Sequence, residues 1–363
     1  MKAFVTGGSG FIGQHVVRKL VEREYQVVAL ARSESSAAFL RELGAQPALG
    51  DINDVDSMRE PMRGSDVVFH IAGWYKLDAN GWMDAEKINV IGTRNVLNLA
   101  VDLSVPKIIY TSTVTVFGDT KGELVDESYH FNGPFLSVYD QSKWLAHYKV
   151  AIPLIEEGAP IIVVMPGGVY GPGDHSWIAE AMRLYYRGLP AITGPDTTLT
   201  YAHVEDVAEG HILAAERGRL GESYILAGPA VPLGEMVDFW SYLTGKSAPA
   251  VRVPSSALRP LAPVAGVAGS ALPLPQLFTQ EAIKTLGATY IARADKARKE
   301  LGWQPRPLQA GMLETFEWIA ETTPESTGMD EQQKKIVLAA LVAIVLFLFV
   351  WLRSRPSGKG DQA

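Results

Sequence analysis

The chain has 363 residues, 47% of them hydrophobic, and a formal net charge of −7. That length exceeds one typical domain and supports a sizeable core, while the acidic balance, with no basic cluster, excludes a nucleic-acid partner. There are no cysteines, so disulfides, thiol chemistry and cysteine-based metal sites are excluded, and no metal site is expected.

The first strand is expected at Lys2–Thr6, which leaves no room for a signal peptide. It runs into Thr6-Gly7-Gly8-Ser9-Gly10-Phe11-Ile12-Gly13, and the apolar helix face Phe11, Ile12, Val16, Val17 and Leu20 follows at once. Three glycines also make an ordinary turn. Between a strand and a helix, at this spacing, they read as a dinucleotide cradle. Gly7 allows the tight turn, Gly10 lets backbone N–H groups reach the phosphates, and Gly13 lets the helix lie close to the sheet. Further strands are expected at Gln26–Leu30, Gln46–Leu49, Val67–Ile71, Lys107–Thr111 and Ile161–Met165, with helical patterns between them such as Glu86–Asp102 and Val138–Glu156. This alternation predicts an α/β fold, a doubly wound parallel Rossmann sheet with helices on both faces. At the end of the second strand no Asp or Glu is present for a ribose 2′-OH. Arg32 instead offers a guanidinium to a 2′-phosphate and Ser33 a hydroxyl, so NADP is expected ahead of NAD. An exposed arginine at a strand end is also ordinary surface charge.

Tyr139-Asp140-Gln141-Ser142-Lys143 sets a phenol and an ammonium four residues apart on one helix face. A phenol titrates near ~10 when unperturbed, and a nearby lysine favours the phenolate. The spacing is common by chance, but here it follows a strand ending Tyr110-Thr111-Ser112-Thr113, whose hydroxyls point over the C-terminal edge of the sheet. From Pro166 the pattern loosens into Gly- and Pro-rich connections, short helices and isolated strands such as Glu222–Leu226, expected to form a smaller C-terminal substrate lobe. The expected organisation is an NAD(P)-binding core over 1–165, the lobe over 166–321, a linker over 322–335, a transmembrane helix over 336–352 and a polar tail over 353–363. Ile336 to Leu352 is an uninterrupted apolar run of 17 residues. It would span about 26 Å as a helix, slightly less than a roughly 30 Å hydrocarbon core. Lys334, Lys335, Arg353 and Arg355 flank it and can snorkel to the interface. A buried terminal helix is the other reading. Basic residues on both sides give no orientation signal. The expected location is a membrane, by a single-pass C-terminal anchor, with the catalytic part facing the cytoplasm and lipid as a partner.

Together these motifs resemble the extended short-chain dehydrogenase/reductase family, also called the NAD-dependent epimerase/dehydratase family, over roughly residues 1–320. The resemblance extends to Gly50-Asp51, His70-Ile71-Ala72-Gly73, Ile88-Asn89-Val90-Ile91-Gly92-Thr93, Pro166-Gly167-Gly168-Val169-Tyr170-Gly171, His203-Val204-Glu205-Asp206 and Leu301-Gly302-Trp303. It implies that Tyr139 is the proton donor or acceptor, that Lys143 orients the ribose and lowers the Tyr139 pKa, and that Thr113 hydrogen-bonds the reacting oxygen. Ser112 takes that place if the strand register slips by one. Asp51 is expected at the adenine amine with Ile52 beside it through its backbone, although Asp51 is also a candidate for a plain helix cap. Phe11, Ile12, Ala72, Asn89, Pro166 and Val169 complete the expected cofactor contacts.

The branch most similar is the dihydroflavonol reductase-like and 3β-hydroxysteroid dehydrogenase-like one, including hopanoid-associated proteins labelled as epimerases. It implies hydride transfer between nicotinamide and a carbonyl or alcohol of an apolar substrate, membrane-resident if the anchor holds. Aromatic residues where a cleft lid is expected, Trp74, Tyr75 and Trp177, agree with that. A nucleotide-sugar epimerase or dehydratase is the alternative. It is weakened by Gly168, where such members carry Asn, and by the lack of Arg in Leu199-Thr200-Tyr201-Ala202, though Arg183 or Arg187 can substitute. A non-enzymatic NADP-binding sensor or scaffold is the third reading, and a homodimer is left open.

Overall fold

The computed structural model describes residues 1–76, 81–188, 191–193, 196–246, 250–263, 265 and 279–323. Six strands rise in order through the first half: β1 (Lys2–Thr6), β2 (Gln26–Ala31), β3 (Gln46–Leu49), β4 (Val67–His70), β5 (Ile108–Thr111) and β6 (Ile161–Pro166). The later strands are β7 (Gly168–Tyr170), β8 (Ala191–Thr193), β9 (Thr198–His203), β10 (Ser223–Leu226), β11 (Ala230–Pro232), β12 (Ala250–Arg252) and β13 (Thr289–Tyr290). The main sheet has seven strands in the order β10-β6-β5-β4-β1-β2-β3, and every neighbouring pair is parallel. Covered by helices on both faces, its inner strands are buried along their length, which is why they read as unbroken apolar runs. The side chains of Phe4, Phe69 and Leu20 are fully buried, each worth roughly 1.5–3 kcal/mol of transfer free energy.

The chain winds one way from β1 through β3, then crosses back so that β4 lies on the other side of β1, with Thr6 opposite His70. The C-terminal ends of β1 and β4 therefore form the topological switch point, where an open α/β sheet binds ligands. β9 lies at the centre of a second sheet, paired with β7, β11 and β13, and a short ladder joins β8 to β12. A separate core of Tyr170, Met182, Tyr185, Trp240, Met312 and Phe316 packs beneath this second sheet.

Three expected helix features are altered. The helical stretch expected from Glu86 begins at Trp82 and widens into a π-helical segment over Glu86–Gly92 before Thr93–Asp102. The stretch from Val138 to Glu156 widens likewise over His147–Ala151. There Pro153 brings a ring that crowds the preceding turn and supplies no N–H. Finally, no helix among the described residues is long and apolar enough to cross a membrane. The last described one, Leu308–Thr322, has 15 residues and carries Glu314, Glu317 and Glu321. The run expected to span the bilayer, 336–352, lies outside the described residues, as do the tail and all of the linker but 322–323. The expectation of a membrane location through a single-pass anchor is therefore withdrawn.

Candidate active site

The turn after β1 is shaped by what its glycines approach. Gly7 has φ +75°, and a Cβ there would lie 2.5 Å from the Ala72 nitrogen. A Cβ on Gly13 would lie 2.0 Å from the Gly7 carbonyl oxygen. Both positions exclude any other residue, and Ala72 is thereby fixed against the turn. Gly10 precedes the Phe11–Glu22 helix with no side chain capping it, so the amides of the first turn remain available to an anion. This cradle fits a dinucleotide pyrophosphate. Ile12 packs on the core, and the Phe11 ring meets His15 edge-on at 6.2 Å.

Beyond β2, Arg32 is exposed and makes no hydrogen bond or ion pair among the described residues. Ser33 caps the Glu34–Glu42 helix, its hydroxyl accepting from the Ser36 amide at 3.2 Å. After β3, Asp54 rather than Asp51 caps the Val55–Met62 helix. Asp51 instead accepts from the Asn53 amide and side chain, both at 2.8 Å. Burial pushes its carboxyl up, but the Asn53 hydrogen bonds and then the charges of Arg32 and Lys87 outweigh that and hold it below its usual range. Arg32 and Asp51 thus share one corner. Ile52 is buried, and its carbonyl accepts from Asn95 at 3.0 Å.

At the other side of the switch point, Tyr139 and Lys143 lie on the Val138–Ala146 helix, whose cap is the Ser137 hydroxyl accepting from the Asp140 amide at 3.0 Å. Lys143 is buried. Its ammonium donates to the Thr111 carbonyl at 2.8 Å and lies 5.3 Å from the Tyr110 ring, and burial pushes it down to about 7. Burial pushes the Tyr139 phenol up, a hydrogen bond with Thr113 acts in the opposite sense, and the Asp140 charge adds to the rise. The expected lowering by Lys143 is not among these influences, because its ammonium is turned to Thr111. Thr113, at the extended end of β5, also faces the Pro166 carbonyl at 3.5 Å. Ser112 points away and bonds Nδ1 of His147 at 2.9 Å. The register thus brings Thr113, not Ser112, to the phenol. Val169 is half-buried in β7, paired opposite Ala202.

Asn89, in the π-helical segment, is fully buried and acts as a clamp. Its side chain accepts from the Trp74 amide at 2.7 Å and donates to the Trp74 carbonyl at 3.0 Å and the Ser142 hydroxyl at 2.9 Å. Ser142 donates on to the Tyr139 carbonyl at 2.9 Å. The loop after β4 and the Tyr139 helix are therefore locked together by one amide. That loop delivers Tyr75, 39% exposed, edge-on to the Tyr139 ring at 4.8 Å. The Tyr75 phenol also meets the Trp177 side chain. Sequence reasoning flagged Tyr75 and Trp177 only as lid aromatics, and it missed Ser142 as the link.

The family model for the NAD dependent epimerase/dehydratase family matches residues 3–227. The chain belongs to that family. It is similar to a ketoreductase of Stigmatella aurantiaca that acts on 4-hydroxy-2-methyl-3-oxo-4-farnesyl-3,4-dihydroquinoline-1-oxide, 33% identical over 84% of this chain and 92% of that one. A Synechocystis protein provisionally named dihydroflavonol 4-reductase is 32% identical over 87% of this chain and 94% of its own. Among solved structures, that of gox2253 superposes with a TM-score of 0.76 at 33% identity, covering 88% of this chain and 98% of that one. This epimerase/dehydratase-family member is an NAD(P)-dependent enzyme of the oxidoreductase or epimerase/dehydratase kind, acting on a small molecule.

Proposed function

We propose that the enzyme reduces a carbonyl, or oxidises the matching alcohol, of an apolar small molecule, with NADP used ahead of NAD. The observation that carries this is the Tyr139 phenol, with Thr113 near enough to oppose the rise of its pKa and the Tyr75 ring edge-on to it at 4.8 Å. The cofactor, when bound, supplies or accepts the hydride. Gly7, Gly10 and Gly13 would hold its pyrophosphate on the helix amides, with Asp51 and Ile52 at the adenine. Arg32 would pair with the 2′-phosphate beside the Ser33 hydroxyl. Thr113 holds the substrate oxygen against Tyr139, which delivers a proton to it during reduction. Lys143, whose ammonium donates to the Thr111 carbonyl, would turn from it to hold the ribose.

The Tyr75 ring, itself met by the Trp177 side chain, borders the phenol. This supports an apolar substrate, as does the named substrate of the Stigmatella ketoreductase, a farnesylated 3-oxo compound. The nucleotide-sugar reading is weaker on this geometry. Gly168 has no side chain to offer, and Arg183 already donates to the Asp174 carbonyl at 2.8 Å and stacks on Trp318 at 4.9 Å. A sensor that only binds NADP has no need of a phenol paired with Thr113. Tyr139→Phe tests the reading. Turnover of apolar ketones, followed by NADPH absorbance, is expected to fall at least about 10²-fold while NADPH affinity measured by fluorescence stays within about twofold. Near wild-type turnover would remove Tyr139 from the chemistry.

A further inference from the structure

The loop after β4 brings a second phenol to the site on a backbone that is held almost residue by residue. His70, at the end of β4, is buried, its ring bonded to the Thr6 hydroxyl at 2.7 Å and the Thr93 hydroxyl at 2.9 Å. The Ile71 amide donates to the Thr6 carbonyl at 3.1 Å. Ala72 closes on Gly7, where a Cβ would come within 2.5 Å of the Ala72 nitrogen. Trp74 is buried, and Asn89 bonds both its amide and its carbonyl. Tyr75 follows directly on this anchored run and, unlike Trp74, keeps 39% of its surface exposed. Its ring stands edge-on to that of Tyr139, the centroids 4.8 Å apart and the planes at 85°. Rings at that separation are in contact, so nothing enters between them.

We propose that Tyr75 determines specificity: its ring is a fixed wall beside the acid–base phenol, and the enzyme takes a carbonyl with one flat, unsaturated flank, an aryl ketone or an enone, in preference to one whose adjoining carbon is saturated. This rests on the reading of Tyr139 as the acid–base group. A substrate oxygen at the Tyr139 hydroxyl brings one flank of its carbonyl alongside Tyr75. A flat π-system gains by lying offset or edge to face against an aromatic ring, and it needs only the thickness of one ring. A saturated carbon carries substituents above and below that plane. A wall tied through Trp74 to Asn89 does not withdraw to admit them, and overfilling a packed site is costly. The ring does this work and the Tyr75 hydroxyl does not, so phenylalanine at this position serves as well.

Acetophenone and cyclohexyl methyl ketone share one carbon skeleton and differ in whether the ring beside the carbonyl is flat. The full-length protein is assayed on both with NADPH, and the ratio of the two kcat/KM values is compared between variants, which cancels the intrinsic reactivity of each ketone. Tyr75→Ala is expected to lower the acetophenone-to-cyclohexyl ratio about three- to tenfold. Tyr75→Leu keeps bulk without a flat face and is expected to lower it likewise; it carries the test if Tyr75→Ala does not fold. Tyr75→Phe keeps the ring and is expected to hold the ratio of the wild type. An unchanged ratio in the alanine and leucine variants would overturn the proposal, as would an equal fall in Tyr75→Phe. The fluorescence of bound NADPH reports the affinity of both ketones without turnover. If neither ketone is reduced, yet the wild type binds acetophenone the more tightly and Tyr75→Ala loses that preference, the carbonyl chemistry fails and the wall stands. If both are reduced and the ratio does not move, the wall alone fails. Neither binding nor turnover of either ketone would overturn the proposal.

Discussion

Replacing Asn89 by alanine removes an amide that satisfies three buried groups at once. The Trp74 N–H, the Trp74 carbonyl and the Ser142 hydroxyl lose partners at 2.7, 3.0 and 2.9 Å. Ser142 keeps its own bond to the Tyr139 carbonyl at 2.9 Å, so its loss is the smallest. The two main-chain groups are left unpaired beside a side chain only 6% exposed, at Trp74. At roughly 1–3 kcal/mol for each unsatisfied buried group, and with partial relief from water entering the small cavity, the sum is about 3–5 kcal/mol. Urea unfolding of the two proteins measures it directly through the shift in midpoint at constant slope. A loss below about 1 kcal/mol would refute the clamp, since it would mean the loop and helix hold each other without the amide. Asn89→Asp sharpens the test. It keeps an acceptor for the Trp74 amide but sets a carboxylate oxygen against the Trp74 carbonyl. It should therefore be about as damaging at neutral pH and recover relative to wild type as the pH falls and protonation restores a donor. Because Tyr75 follows Trp74, either change should also free the ring that covers Tyr139, and turnover should fall even where the variant remains folded.

Arg32→Ala should weaken NADP binding roughly ten- to a hundredfold, the equivalent of about 1.5–3 kcal/mol for a charge-assisted contact, and leave NAD binding nearly constant; equal effects on both, by calorimetry, would make Arg32 surface charge. Gly13→Ala should fail to give a folded, cofactor-binding protein, because its Cβ would stand 2.0 Å from the Gly7 carbonyl oxygen; a normal melting temperature with intact NADPH binding would contradict that packing. Glu205 joins the Phe11–Glu22 and Val204–Arg217 helices through His15 at 2.5 Å and Lys19 at 3.1 Å. The His15 hydrogen bond leads the effects that hold its carboxyl at about 2, below the ordinary 4.5. A depressed folded-state value stabilises above the unfolded one, and that contribution is lost as pH falls through the folded one. The melting temperature of Glu205→Gln should therefore lie below wild type at neutral pH and converge on it between pH 4.5 and about 2; a difference independent of pH over that window would refute the assignment.

The cofactor half of this protein was legible in its sequence because the physics there is local. A parallel strand buried on both faces must be apolar throughout, so β2 and β6 stand out as runs, and a turn that tolerates no Cβ leaves Gly7 and Gly13 as marks along the first turn. Even the choice between Ser112 and Thr113 was half visible, needing only the turn at the end of β5 to aim one hydroxyl at the phenol and the other at His147. The groups that position the chemistry were hidden for the opposite reason. Asn89 works through main-chain groups of a loop 15 residues before it and a serine 53 residues after it, partners that no helical or strand period connects. Asp140 looks in the sequence like any first-turn acid, yet it is buried and bonded by the Tyr290 hydroxyl, 150 positions away. Such residues carry no motif, because what they need is a neighbour supplied by the fold. The substrate side follows the same logic. Tyr75, Trp177 and Tyr139 come from three separate segments, and the fold sets the Tyr75 ring against both of the others. If the proposed ketone reduction is right, changes in the loop after β4 and in 174–177 should alter which ketone is reduced, while changes in the glycine turn or the Tyr139–Lys143 pair should abolish reduction of all of them.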